Sequence, residues 1–199
     1  MLPKHEGKEA EMKKMAGKFI VFEGPDRAGK STLARWLLGR MRKAGMHPFY
    51  AHSPATGAMG KQIYAMHHRL RGISPASRQA LHVAAHLDAV PNQILPASRK
   101  GPVIIDRWWW SLAVYGKLAE VPAETMSALV AADRMAWNPI VPDALFLVGR
   151  GPETELSRGY LRHVHEVGAG AFYFIRNDGT LKKAQDQILQ DLRARGWEL

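Results

Sequence analysis

Apolar residues along the chain fall into two alternating patterns, short β-branched or aromatic runs and longer stretches at helical spacing. The first run, Phe19 to Phe22, reads as a buried strand. Leu33, Trp36, Leu37 and Met41 then fall on one helical face, with Arg35, Arg40, Arg42 and Lys43 mostly on others and Gly45 as the stop. A second strand is expected over Met46–Ala51, then a loop from His52 to Gly57. A helix over Lys61–Arg71 follows, whose basic face carries Lys61, Arg69, Arg71 and the pair His67 and His68. A helix over Ser77–Leu95 is built on Leu81, Ala84, Ala85 and Leu87, with Pro91 as a kink or break. Pro102 to Ile105 is a buried strand that delivers Asp106 at its carboxyl end, where ligands bind in open parallel sheets. Helices over Leu112–Leu118 and Ala123–Trp137, a strand over Asp143–Val148 and a basic helix over Pro152–Val164 come next. The pattern ends with a flexible loop at 168–170, a short strand Phe172–Ile175 and an amphipathic helix Leu181–Arg195 that turns Ile188, Leu189 and Leu192 inward. Strands alternating with helices predict an α/β fold, a parallel sheet in three layers.

Between the first strand and the first helix lies a glycine-bounded loop. Gly24, Gly29, Lys30 and Ser31 satisfy G-x-x-x-x-G-K-[ST], with Pro25, Asp26, Arg27 and Ala28 in the variable positions and Thr32 opening the helix. Each residue type has a task. The glycines permit a tight turn, so that N–H groups from Arg27 to Ser31 point at a phosphate chain. Lys30 brings a positive charge to the β- and γ-phosphates, the Ser31 hydroxyl ligates Mg²⁺, and the helix aims its positive end at the same anion. ATP and Mg²⁺ are the expected ligands of a P-loop NTPase.

Composition adjusts this picture in two ways. The chain has 199 residues, 46% of them hydrophobic, enough for one domain with a real core. Residues 1–17 mix lysine and glutamate with few large apolar groups and read as a mobile tail. No cysteine is present, which excludes disulfides and thiolate metal sites. No apolar run reaches membrane-spanning length, so the protein is expected to be soluble and cytoplasmic, in a host's cytoplasm if phage-encoded. The net charge of +10, from 28 basic and 18 acidic residues, exceeds what a phosphate site needs. It points to a polyanionic partner or to a basic surface that aids solubility.

Beyond its tail the chain resembles the thymidylate kinase family. Three stretches carry the resemblance: the loop from Glu23 to Thr32; Asp106, Arg107 and an aromatic residue with Ser111 and Tyr115; and Pro142-Asp143 before a strand. The resemblance implies that Asp106 assists the Mg²⁺ shell, that Arg107 holds the acceptor's phosphate and that Asp26 faces its sugar. Arg27 resembles the loop arginine of members that reach the γ-phosphate from the phosphate loop. Arg158 and Arg162 would lie in or beside a lid at about 151–170, although either also reads as an ordinary solvated helix residue. Asp106 has an alternative reading as a cap of the next segment. The adenine edge falls by position on Asn177, Asp178 and Gly179. The family often pairs through helices, so a homodimer is possible.

The departures concern the acceptor. The arginine that grips the 5′-phosphate after the second strand is replaced by His52, with Ser53 and Pro54 behind it. Counting back from Ile94 to Pro96, the base-stacking phenylalanine falls on His82 and the base-reading arginine on His86. A neutral imidazole is a poor substitute for a forked guanidinium. Trp108, Trp109 and Trp110 stand where the family begins with one ring. Three consecutive indoles are not expected all to face inward, and an exposed one could stack a base. With the basic charge, these features resemble the phage branch of the family that phosphorylates the hydroxymethyl group of 5-hydroxymethyluracil in DNA, with Asp26 or Glu23 as the base. The alternative reading is a dTMP kinase; a third is a non-catalytic ATP-driven DNA-binding module.

Overall fold

The computed structural model describes residues 15–69, 72–167 and 170–199. Most of the expected tail, the His67 and His68 side chains, Arg71 and most of the 168–170 loop lie outside the described residues. A five-stranded, all-parallel sheet forms the middle layer. Its strands are β1 (Phe19–Glu23), β2 (Phe49–His52), β3 (Val103–Asp106), β4 (Ala144–Gly149) and β5 (Phe172–Arg176), in the order β2-β3-β1-β4-β5. Every residue of β1, β3 and β4 is buried, as continuous apolar runs in a two-sided parallel sheet require.

The alternation along these strands builds two cores. Ile20, Phe22, Ile104, Phe146, Val148 and Ile175 pack on Leu33, Leu37 and Met41 of α1 (Lys30–Lys43) and on the C-terminal helix described below. Phe19, Val21, Val103, Ile105, Leu145 and Leu147 point the other way, onto the second helical layer. That layer begins after α2 (Gly57–Arg69) with α3 (Pro75–Ala89), whose N-terminus is capped by the Ser74 hydroxyl accepting from Ser77 N–H at 3.1 Å. It continues through a π-helical turn (Val90–Ile94) into α4 (Leu95–Ser98). Pro91 therefore does not break the helix. It stands early in the wider turn, which accommodates the N–H that proline lacks.

The rest of the layer is α5 (Trp109–Leu118), α6 (Ala123–Trp137) and α7 (Glu155–Leu161). The helix expected over Pro152–Val164 is shortened to α7 because Thr154 and Ser157 form a reciprocal capping box. A 3-10 turn over Val164–Glu166 follows it, and α8 (Leu181–Ala194) returns to the first layer, burying Ile188, Leu189 and Leu192 as expected. Strand β2 starts only at Phe49, behind Pro48, which lacks an N–H for the ladder, and reaches His52. At the end of the expected tail, Met15 is buried in the first core, and Gly17 N–H donates to the Ser98 carbonyl at 2.8 Å.

All three consecutive indoles are buried: Trp108 is 6% exposed, Trp109 4% and Trp110 0%. This overturns the expectation that one would face solvent. Trp108 has extended backbone just ahead of α5, whereas Trp109 and Trp110 are helical, so the rings diverge into a layer closed by the sheet, α6 and the turn after α7. Their centroids lie 5.6–6.4 Å apart in tilted and edge-on contacts.

Candidate active site

The parallel register brings His52, Asp106 and Phe22 into one row at the carboxyl ends of β2, β3 and β1. A cleft of about 870 Å³ opens above that row. Its floor on one side is the phosphate loop. Gly24 has φ 133°, and a Cβ there would lie 2.2 Å from the Val148 carbonyl oxygen, so only glycine lets the loop leave β1 beside β4. Arg27 at φ 63° and Gly29 at φ 99° complete the turn into α1, and Asn177 Nδ2–H donates to the Ala28 carbonyl at 2.8 Å, strapping the loop to the end of β5. Asp26, Arg27, Gly29, Lys30, Ser31 and Thr32 line the cleft, while Gly24 and Ala28 are buried beneath it and Pro25 is half-buried.

Lys30 is folded back, its ammonium donating to the Pro25 carbonyl at 2.6 Å. Burial, reinforced by the Arg107 charge, pulls its pKa down to about 8. Asp106 is fully buried; its Oδ2 accepts from the Tyr50 hydroxyl at 2.6 Å, and its Oδ1 has no hydrogen-bond partner. An unpaired buried carboxylate oxygen at the carboxyl end of β3 suits a hydrated Mg²⁺ carried mainly by substrate phosphates. No cluster of three acidic or histidine side chains among the described residues would hold a metal on its own. Asp106 does not cap α5. That task falls to Glu23, whose carboxylate accepts from Trp108 N–H at 2.7 Å, Ser111 N–H at 3.1 Å and the Ser111 hydroxyl at 2.6 Å. Glu23 is 0% exposed, does not line the cleft and has both carboxylate oxygens engaged under α5, so the alternative assignment of Glu23 as a base facing an acceptor is corrected.

Arg107 occupies the middle of the cleft with a left-handed φ of 75°. Its guanidinium donates to the Ser111 hydroxyl at 2.9 Å, pairs with Asp26 and lies 5.2 Å from the centroid of the Tyr115 ring. Tyr160, fully buried on α7, shares a 3.0 Å hydrogen bond with the Ser111 hydroxyl and so completes the floor beneath the guanidinium. Asp26 keeps its side chain largely in solvent, and its N–H donates to the Tyr115 hydroxyl at 2.9 Å.

The three histidines border the cleft in different ways. His52 is half-buried, and desolvation lowers its pKa, which keeps it neutral rather than guanidinium-like. His82 is half-buried on α3. His86 is 3% exposed and has both ring nitrogens engaged, Nδ1 with Asp133 at 2.7 Å and Nε2 with the Ser53 hydroxyl at 2.5 Å. It therefore holds Ser53 and offers no free nitrogen to a base. Trp108 and Ser111 reach the cleft wall. Trp109 does not: the Arg134 guanidinium covers one side at 4.8 Å and His163 meets it at 5.0 Å, so its assignment to a substrate is corrected.

Arg158 and Arg162 are exposed and absent from the cleft wall. Arg162 borders a second cavity of about 690 Å³ between α5, α6 and α7. The arginine that does line the cleft from this part of the chain is Arg150, directly after β4, a position the strand-end rule points to. Arg78 and Gln79 also line it. The four-residue steps from Arg78 to His82 to His86 put Arg78 on the histidines' face, a signal available in the sequence.

The family model described as "Thymidylate kinase" matches residues 22–173. The chain belongs to the thymidylate kinase family. A thymidylate kinase of Bradyrhizobium sp. (strain BTAi1 / ATCC BAA-1182) is 32% identical over 161 residues, 78% of this chain and 67% of that relative. One of Nitrosomonas eutropha (strain DSM 101675 / C91 / Nm57) is 36% identical over 133 residues, 62% of this chain and 59% of the relative. The crystal structure of thymidylate kinase from Ehrlichia chaffeensis superposes with a TM-score of 0.74, covering 88% of this chain and 98% of that one at 18% identity, which supports the shared fold. As a thymidylate kinase family member the chain is an ATP-dependent kinase, which sets aside the non-catalytic module. No described helix is long and apolar enough to cross a membrane.

Proposed function

We propose that the chain transfers the γ-phosphoryl group of ATP to the 5′-phosphate of dTMP, giving dTDP and ADP. Arg107 carries this reading: a guanidinium fixed by Ser111 and stacked on Tyr115, in the same cleft as Lys30 and Arg27. A fixed, largely buried fork of donors suits an incoming phosphate dianion, which would take the place Asp26 now holds. Asp26, released, is left beside the acceptor's sugar. Phosphoryl transfer is driven by positioning and by neutralising spreading negative charge. In this reading Lys30 leaves the Pro25 carbonyl for the phosphate chain, Arg27 reaches the γ-phosphate from the loop, and Arg150 closes on it from β4. Ser31 and Asp106 would hold Mg²⁺, which supplies charge neutralisation between the phosphates when bound. The dTMP kinases among the relatives support the same acceptor.

One observation favours the reading with 5-hydroxymethyluracil in DNA as acceptor. The neutral His52 stands where a second guanidinium would grip a free nucleotide's phosphate. Against it, Glu23 is engaged under α5, Asp26 is paired with Arg107, and all three indoles are buried. Incubation with Mg²⁺ and γ-labelled ATP separates the two. Label in dTDP is the expected result; label confined to duplex DNA containing 5-hydroxymethyluracil, with none in dTMP, would replace the first reading by the second.

A further inference from the structure

The reading of a nucleoside monophosphate as acceptor leaves open what recognises its base, because His86 has no free nitrogen. Gln79 lies on the same face of α3 and borders the cleft. It is 6% exposed, and its side-chain amide makes no hydrogen bond among the described residues. A residue held this firmly at the cleft wall, with an amide that no described side chain engages, is placed to pair with a ligand's polar edge.

Seven residues along α3, about 10 Å, separate Gln79 from His86 and the hydroxyl it holds. Asp133, 0% exposed, accepts from His86 Nδ1–H, and where Nε2 carries no hydrogen it takes that of the Ser53 hydroxyl. The Ser53 oxygen is left as an acceptor towards the cleft. The atom order matches a hydrolytic triad, but the Ser53 N–H is engaged by the Asp106 carbonyl at 3.0 Å. It cannot serve as an oxyanion donor. The chain of bonds positions a hydroxyl.

We infer that Gln79 and Ser53 read the acceptor's base, and that they select a pyrimidine edge rather than thymine alone. An amide carries an acceptor oxygen and donor hydrogens side by side, and no hydrogen bond among the described residues fixes which one faces the ligand. One orientation donates to O4 of thymine or uracil, and the other accepts from the amino group of cytosine. The Ser53 oxygen accepts N3–H of thymine or uracil, or the second amino hydrogen of cytosine. Arg78, half-buried on the same face, is the competing reader. A guanidinium has donors only and would hold selection to carbonyl-bearing bases.

The test is kcat/KM for dTMP, dUMP and dCMP at saturating Mg·ATP with the wild-type chain. The three values are expected to agree within about tenfold. A dCMP value more than about a thousandfold below that of dTMP would overturn the inference and leave the acceptor reading standing. Failure of all three with ATP still bound would overturn both. Gln79→Glu keeps the shape and removes the donors, so the dCMP to dTMP ratio is expected to rise about tenfold; an unchanged ratio counts against Gln79. Ser53→Ala is expected to raise the acceptor KM more than it lowers kcat, and the reverse split would assign Ser53 a merely structural part. The wild-type comparison decides the matter if a variant fails to fold.

Discussion

Lys30 is charged in water up to about pH 10.5, but in the fold burial brings its pKa down to about 8. The unfolded chain thus holds this proton more tightly than the folded one, and the lysine's contribution to stability rises with pH between those values. Phosphate binding acts in the opposite direction, because an anion favours the ammonium. ATP affinity is therefore expected to be flat below about pH 8 and to fall about tenfold per unit above it. Titrations of ATP binding from pH 7 to 9.5 would show the break. A flat profile throughout would mean that the ammonium does not meet the phosphates. The sequence identifies Lys30 because the loop motif dictates its contact. It cannot identify Tyr160 or Asp133, whose partners Ser111 and His86 lie far away in sequence and meet them only through packing of α5 against α7 and of α3 against α6.

At the scale of elements, the loop between β1 and α1 is legible because its requirements are local. Gly24 must be glycine for two independent reasons, its φ of 133° and the Val148 carbonyl 2.2 Å from any added Cβ. Gly24→Ala is expected to abolish ATP binding and to lower the melting temperature; normal binding would show that the loop has room to shift. Helix α5 is less legible. Periodicity starts it at Leu112, but the Glu23 carboxylate caps it three residues earlier, at Trp109, and that cap comes from another strand. The same early start turns Trp110 into the core at 0% exposure. Trp110→Ala is expected to cost about 3–5 kcal/mol, measured by urea unfolding; a loss under about 1 kcal/mol would contradict the burial. Arg158 on α7 and Arg162 at its end are legible only as basic residues near a lid position. A basic helix does not reveal which of its residues meet a cleft, and neither Arg158 nor Arg162 lines this one.

For the whole molecule, the strand order β2-β3-β1-β4-β5 is what assembles the cleft. It sets the ends of β2 and β3 beside the phosphate loop and the end of β4 on its other side, so that groups from widely separated stretches share one space. Alternating strands and helices foretell three layers, whereas the acceptor half of the cleft depends on α3 and is readable only in part. The net charge of +10 fits a protein that handles phosphates, and its full extent has no counterpart in the cleft. The central claim is that Arg107 receives the acceptor's phosphate opposite the ATP bound by the loop. Steady-state kinetics of Arg107→Ala against the wild type test it most directly, with dTMP varied at saturating Mg·ATP and the ATP Kd measured separately. The account predicts a fall in kcat/KM for dTMP of about a hundredfold with the ATP Kd within about twofold. A loss of only a few-fold, or an equal loss in ATP binding, would contradict it.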